Sequence, residues 1–397
     1  MPNSIISEWL NLPSVKFNTA LTEKEKDSTE IHLLREPSYG FTCSNCGKRT
    51  NFTYGSTKVR IRDLSIFEFK SYLVLDKYRV KCPNCGVKVE KLDFADVYSR
   101  CTNRFEEYVA RLCRITSVKQ VADLLGLDWK TVKDIDKKYL KKEFAIPDYD
   151  DLRILGVDEI SSKKGHHYFT VVMNLEKTKV IWVGKKRKKE TLNSFFKELG
   201  PDRCKKIQAV AIDMWDPFIA SIREYLPQAE IVFDKFHVIS KYSKVIDKVR
   251  NAEYKKATES DREIIKGTKY VLLKNPENLK IKEKEKLTRL LALNENINMS
   301  YILKDDLKIL WEYTDTESAE KFLDSWIERA RETDIRALED FAKTLENYKY
   351  GLLNHANYPI NSGKIEGMNN KIKVIKRVAY GFHDDEYFIL KIKQGCS

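Results

Sequence analysis

Two sets of residues in this chain have the types and spacing to do chemistry. The first is cysteine. "CSNCGK" contributes Cys43 and Cys46, and "CPNCG" contributes Cys82 and Cys85. Each pair sits on a tight C-x-x-C turn, with a glycine that lets the backbone fold back. Four thiolates make a closed tetrahedral site for structural Zn²⁺. Two unrelated thiol pairs or a redox dithiol are the alternatives, but redox C-x-x-C motifs usually stand singly at a helix start. The spacing alone does not decide whether the module binds DNA or only holds a scaffold. The other four cysteines, Cys101, Cys113, Cys204 and Cys396, show no spacing pattern.

The second set is acidic. Asp158 lies inside the apolar run "ILGVDEIS", and Asp213 ends "IQAVAIDM". A carboxylate inside an apolar strand is costly unless charge or hydrogen bonds compensate it. Two of them on strands of one sheet predict a shared metal site. Glu366 is the single acid in "NSGKIEGMNNKIKVIKR", among Lys364, Lys371, Lys373, Lys376 and Arg377. Read as a helix over 361–379, capped by Asn361 or Ser362, this stretch puts Ile365, Met368, Ile372 and Ile375 on one core face. Glu366, Asn369, Asn370, Lys373 and Arg377 then form the adjoining polar face. Gly367 costs about 1 kcal/mol against Ala in a helix interior, and close approach of another backbone would compensate it. Three carboxylates can hold two divalent metals about 3.5–4 Å apart, and Mg²⁺ or Mn²⁺ suits such a site. Taken singly, each acid reads equally as a surface or capping residue.

The elements that must position these groups follow from the pattern. Residues 1 to about 40 read as a polar lead-in with a few aromatic anchors. Strand-like runs, "STKVRIRDL" and "YLVLDKYRVK", lie between the cysteine pairs. From Thr116 to Lys142 two helices are predicted, the first capped by Thr116 or Ser117. Val118, Val121, Ala122 and Leu125 form its apolar face, Gly126 makes the turn and Leu127 packs beneath it. Asp128 caps the second helix, with Val132, Ile135 and Tyr139 inward and Trp129, Lys130, Lys133 and Lys137 outward. That is a helix–turn–helix whose second helix enters the major groove; an ordinary helical hairpin in a core is the alternative. "IPDYDD" at 146–151 is a turn-rich linker. Three antiparallel strands, a helix, a strand, a helix and a strand follow, an α/β order. Residues 238–350 are helical and highly charged, and a closing helix carries Glu366.

The chain has 397 residues, enough for two or three domains, and 42% are apolar. Its formal charge of +13 exceeds what solubility needs and points to a polyanionic partner, nucleic acid first. No signal peptide and no apolar run of membrane-spanning length is found, so a cytosolic protein is expected.

Several neighbours have two readings. Asp216 follows Asp213 and Trp215 and reads as a cap for the Pro217 helix. Asp234 and His237, in "FDKFHV", read as accessory groups lining the acidic site or, for His237, as a helix cap. "KKRKK" at 185–189 reads as a DNA-backbone track or as a solvated loop. His166 and His167 read as turn residues. Trp311, Phe322 and Trp326 read as core of the helical stretch.

With these residues in view, "GVDEIS", "AIDMWDPF", "FDKFHV" and "IEGMNNKIKVIKRVAYGF" resemble a bacterial insertion-sequence transposase of the ISL-three family. The resemblance runs over almost the whole chain and implies a multidomain α+β protein. Its parts would be a zinc module at 1–100, a helix-turn-helix at 101–145 and a ribonuclease-H-like Asp-Asp-Glu catalytic domain at 151–397 with an all-helical insertion at 238–350. It implies Asp158, Asp213 and Glu366 as the catalytic and metal-binding triad, with two Mg²⁺ or Mn²⁺ ions per site. Asp234, His237 and Asn370 would be accessory. Trp129, Lys130, Lys133, Lys137, Lys373 and Arg377 would contact DNA. The partners would be terminal inverted repeats, target DNA and a second copy of the chain, in the cytoplasm of a bacterium near the nucleoid. A retained DNA-binding regulator and a ribonuclease-H-fold nuclease for branched DNA or hybrids are the rivals.

Overall fold

The computed structural model describes residue 12 and residues 17–36, 38–163, 167–360 and 362–397. The chain divides into two compact units, 1–145 and 146–397. The boundary falls within the predicted linker, although Tyr149 there is buried and its hydroxyl donates to Glu198 Oε1 at 2.6 Å.

Among the described residues the first unit has seven strands: β1 (Phe17–Lys24), β2 (Ser28–Arg35), β3 (Phe41–Thr42), β4 (Arg49–Thr50), β5 (Thr53–Ile66), β6 (Phe69–Cys82) and β7 (Gly86–Val89). The main sheet runs β1-β2-β6-β5, with β7 also pairing β6, and β3-β4 is a separate ribbon. The expectation of a polar lead-in is therefore corrected: residues 17–35 form two paired strands. The alternation of Ile31 and Leu33 explains it, since both are buried against Ile61, Leu73 and Leu75 while the residues between turn outward. Three helices follow: α1 (Asn103–Leu112), α2 (Val118–Leu125) and α3 (Trp129–Glu143). Buried Asp63 of β5 accepts from Thr102 Oγ1 and Arg104 Nε, both at 2.7 Å, and so fixes the start of α1.

The second unit contains β8 (Ile154–Lys163), β9 (His167–Asn174), β10 (Lys179–Lys185), α4 (Lys189–Leu199), α5 (Pro201–Cys204), β11 (Ala209–Ile212), α6 (Asp216–Tyr225) and β12 (Glu230–Phe233). Its sheet order is β10-β9-β8-β11-β12. The β8–β9–β10 meander is antiparallel, while β11 runs parallel to both β8 and β12. Then come α7 (Lys235–Lys256), α8 (Glu259–Ile265), α9 (Lys269–Leu273), α10 (Ile281–Leu293), α11 (Glu295–Leu307), α12 (Thr316–Arg331), α13 (Arg336–Asn347) and α14 (Lys349–Leu353), with short 3₁₀ turns at 276–278 and 308–312. Trp326 is fully buried there, Trp311 nearly so, and Phe322 packs against the same core.

The chain ends with α15 (Ser362–Val378) and α16 (Asp385–Gly395). The helix carrying Glu366 is thus followed by another, and does not close the chain. The sheet's two faces are covered differently. Leu155, Val157, Val210, Ile212, Ile231 and Phe233 turn toward the large helical core. Ile160, Val171 and Ala211 turn the other way, toward Ile365, Met368 and Ile372 of α15 and Phe388 and Ile392 of α16. His166 and Asn361 lie outside the described residues; His167 begins β9 rather than a turn.

Candidate active site and zinc centre

The four cysteines come together. Cys43, Cys46, Cys82 and Cys85 place their sulfurs within 4.8 Å of one another, and Cys46 Sγ lies 3.5 Å from Cys82 Sγ. Cys43 bridges to Glu90 just past β7, and Cys82 ends β6. Two local turns held by adjacent strands therefore build the cluster. Backbone N–H groups after Cys82, that of Asn84 first, pull its thiol down to about 7, toward the ligating thiolate. Asn45 Nδ2 donates to Cys85 Sγ at 3.3 Å. Four soft donors in a closed tetrahedral cluster fit a structural zinc.

The helix–turn–helix forms as its caps dictate. Ser117 and Gln120 make a reciprocal capping box, Gly126 takes the left-handed conformation at φ +65°, and Asp128 caps α3 by accepting from Lys130 N at 2.9 Å. Val121, Ala122, Val132 and Ile135 are buried together with Phe105 and Val109 of α1. Trp129 and Lys130 are exposed at the start of α3, whereas Lys133 and Lys137 are half-buried.

The acidic site is set by strand register. Ala211 pairs with Gly156 in the parallel β8–β11 pair, and Ile212 pairs with Phe233 in β11–β12. Continuing by one or two residues aligns Asp158, Asp213 and Asp234 in a row across three neighbouring parallel strands, Asp158 in the middle of β8 and Asp213 and Asp234 just past the carboxyl ends of β11 and β12. Asp234 N donates to Ile212 O at 3.0 Å, which keeps that register. Because side chains alternate, Asp158 and Asp213 share the face of Gly156 and Ala211, the face that α15 covers. Asn369 of α15 reaches across and donates from Nδ2 to Asp158 Oδ2. Its Oδ1 is buried without a hydrogen-bond partner among the described residues.

Electrostatics mark the same place. Burial raises the Asp213 carboxyl, and Asp158 pushes it further, against His237, Arg187 and Lys241. Burial likewise raises Asp234, helped by Asp158 and Glu366 and opposed by the Phe236 N–H and His237. Glu159 is pushed up to about 7 by burial, with Asp213 and Asp158 adding to it and Arg187 opposing. Such crowding of carboxyls is characteristic of functional sites. Glu366 itself is exposed on α15. The tight ligand clusters among the described residues do not include Asp158, Asp213 and Glu366, so these three do not converge within 4.8 Å.

Other expectations are corrected. Asp234, not His237, caps α7, accepting from Phe236 N at 2.8 Å. Asp216 makes no side-chain cap for α6; it accepts from Tyr348 Oη at 2.8 Å. Asn370 is exposed, and its neighbour Asn369 makes the contact with Asp158. Among the described residues nothing lies within 4 Å of the position a Cβ on Gly367 would take, so close backbone approach by them does not explain it. Lys364 and Lys376 donate to Leu175 O and Ser161 O, tying α15 to the sheet, while Lys371, Lys373 and Arg377 stay exposed.

The basic run 185–189 is not uniformly solvated, although Lys185, Lys186 and Lys188 are exposed. Lys185 pairs with Asp385 and Lys189 with Glu224. Arg187 turns inward, ion-paired to Glu159 and, at 3.2 Å, to Asp213 Oδ2, with its guanidinium 4.0 Å from the Trp215 ring centre. Nothing in a run of five basic residues singles out the middle one. For Asn369 a signal exists: it sits three residues after Glu366, on the same helical face.

Comparison with known proteins fits this layout. A family described as "Transposase", of the ISL3 type with a DDE domain, matches residues 155–392. The helix-turn-helix domain of transposase family ISL3 matches 90–140, and the zinc-finger of transposase IS204/IS1001/IS1096/IS1165 matches 40–85. The transposase for insertion sequence element IS1001 of Bordetella parapertussis is 39% identical over 355 residues, 88% of this chain and 87% of that one. The transposase for insertion sequence element IS1557 of Mycobacterium tuberculosis (strain H37Rv) is 27% identical over 373 residues, 87% of this chain and 84% of that one. A zinc ribbon, a helix-turn-helix and an acid-lined mixed sheet thus occur in one chain in the order of these matches, and the chain belongs to the ISL3 family of insertion-sequence transposases.

Proposed function

We propose that this transposase binds the terminal inverted repeats of its own element, cleaves a phosphodiester at each end and joins the exposed 3′-hydroxyl to target DNA, using Asp158, Asp213 and Glu366. The supporting observation is the register that aligns Asp158 with Asp213 on the face covered by α15, the helix carrying Glu366. We read the mixed sheet as ribonuclease-H-like, from its antiparallel meander followed by parallel strands. The three domains would be 1–100, 101–145 and 151–397, with 238–350 as a helical insertion.

The donor set fits divalent cations. Burial and mutual repulsion raise Glu159, Asp213 and Asp234 together, as expected of a site short of positive charge. The unpartnered Asn369 Oδ1 supplies a neutral oxygen beside Asp158. Asp158, Asp213 and Glu366 would hold two Mg²⁺ or Mn²⁺ ions, whose chemistry is to acidify the attacking water or hydroxyl and offset charge at the phosphate. Asn369 orients the Asp158 carboxylate. Arg187 holds Asp213 through its 3.2 Å ion pair. Glu366 has to close on the aspartates when cation and DNA bind. Exposed Lys373 and Arg377 flank it and suit phosphate contact.

Trp129 and Lys130 at the start of α3 would enter the major groove. The reaction joins two DNA ends, so a dimer or larger assembly is the working form, and its place is with DNA in the cytoplasm.

Cleavage of a plasmid carrying the element's own flanks tests this. Nicks at the flank ends should appear with Mg²⁺, vanish with chelator, and fall by at least about 10³-fold in Glu366→Gln, a loss of about 4 kcal/mol of transition-state stabilisation. Equal nicking by the variant sinks the Glu366 assignment. Cleavage of branched DNA with no preference for the flank ends would favour a nuclease instead.

A further inference from the structure

Apart from the zinc and acidic sites, one face of β1 and β2 carries a third group of possible ligands: Glu23, Glu30 and His32. The antiparallel register sets Glu23 directly opposite Glu30. His32, two residues along β2, shares their face because strand side chains alternate. Like charges directly opposite each other are destabilising, so this pair calls for a cation.

His32 Nε2 lies 3.8 Å from Glu23 Oε2 and 3.9 Å from Glu30 Oε2. Both gaps are too long for hydrogen bonds. The nitrogen is nevertheless buried and has no hydrogen-bond partner among the described residues. A tetrahedral zinc about 2.1 Å from each nitrogen and oxygen ligand holds those ligands about 3.4 Å apart. The two histidine–carboxylate gaps would each shorten by roughly half an ångström around a shared ion, and the three ligand atoms already lie within 4.8 Å of one another.

The other oxygen of Glu30 is already engaged. Glu30 Oε1 accepts from Arg60 Nε, and that guanidinium lies 3.3 Å from the Tyr72 ring centre. Outer partners of this kind orient ligating carboxylates in metal sites. Here the arrangement leaves Oε2 turned toward His32.

We propose that Glu23, Glu30 and His32 form a second metal site, which takes a divalent cation of the zinc class through one imidazole nitrogen and two carboxylate oxygens. Unlike the thiolate cluster, it supplies three protein ligands and leaves a position for water. It would cross-link the edge strand β1 to β2. Nothing in this proposal depends on the catalytic assignment.

The test uses the full-length chain. Crystals equilibrated with zinc and measured on both sides of the zinc absorption edge should show an anomalous peak among Glu23, Glu30 and His32, besides the peak at the four cysteines. In solution, Glu23→Gln and His32→Ala should each lower the zinc content after equilibration by one equivalent per chain. Glu23 is about half exposed on an edge strand, so its variant should keep the fold. Absence of the peak at saturating zinc overturns the proposal and leaves a histidine–carboxylate ion pair, whatever the variants do. A peak there with unchanged zinc content in both variants overturns it as well, because the three side chains would then not be the ligands.

Discussion

The cysteine cluster and the acidic site differ in how nearly they are assembled. Four thiols lie within 4.8 Å of one another, whereas Glu366 remains exposed and apart from Asp158 and Asp213. The cysteines sit on short turns that adjacent strands bring together, and thiols carry little repulsion until they ionise. The carboxylates come from two strands and a distant helix, and each added charge raises the others. A structural centre can be closed by the fold itself. A reactive centre that must admit DNA and cations is left open, with part of its charge unbalanced.

Removing zinc should give the largest effect. Structural zinc contributes on the order of 10 kcal/mol to small metal-bound modules, comparable with the whole stability of a domain. Cys82→Ser, or a strong chelator, should unfold the β3–β4 ribbon and the β6–β7 end. Circular dichroism and limited proteolysis would show the loss confined to residues before 146, with the second unit's melting transition in place. Loss of both units together would break the contrast between a closed structural centre and an open reactive one.

A smaller effect follows from Glu159. Its carboxyl is raised from 4.5 to about 7 in the folded chain, chiefly by burial. Between those values the folded state keeps a proton that the unfolded state has released. The group's contribution is thus fully present below about pH 4.5 and is lost as pH rises through about 7. The loss should be on the order of 1–3 kcal/mol. Urea unfolding in chelator across pH 4–8 should show this slope in the wild type relative to Glu159→Gln. Mg²⁺ should flatten it by neutralising the neighbours. Parallel curves for the two proteins would mean that Arg187 already balances the charge.

The sequence revealed the parts of this molecule that depend on local pattern. Paired C-x-x-C turns, the Ser117 and Asp128 caps, Gly126 and the apolar spacing of α15 all act within a few residues. The acids of the apolar strand runs were legible as well, because a carboxylate in such a run is conspicuous. What stayed hidden depends on packing between distant segments. Arg187 looked like one of five equal cations until the strand end turned it toward Glu159 and Asp213. Residues 17–35 looked polar because a two-residue alternation is weak over so short a stretch. Asp216 follows a strand and precedes Pro217, a capping context, yet Tyr348 from far along the chain takes it as its acceptor.

Gly367 gives the smallest effect and sharpens the contrast between the two centres. It lies within α15 beside Glu366, and among the described residues a Cβ there would meet nothing within 4 Å. No packing among those residues accounts for a glycine that weakens this helix. Gly367→Ala should therefore stabilise the second unit by about 0.5–1 kcal/mol, the helix-propensity difference. Urea unfolding is the measurement, and a destabilised variant would show that the site is more crowded than its geometry indicates. The same variant assayed for nicking separates two uses of the glycine. Higher stability with unchanged nicking assigns it no role beyond the helix. Higher stability with slower nicking places the DNA backbone against α15 at this point, where the open reactive centre has left space that the closed zinc centre does not need.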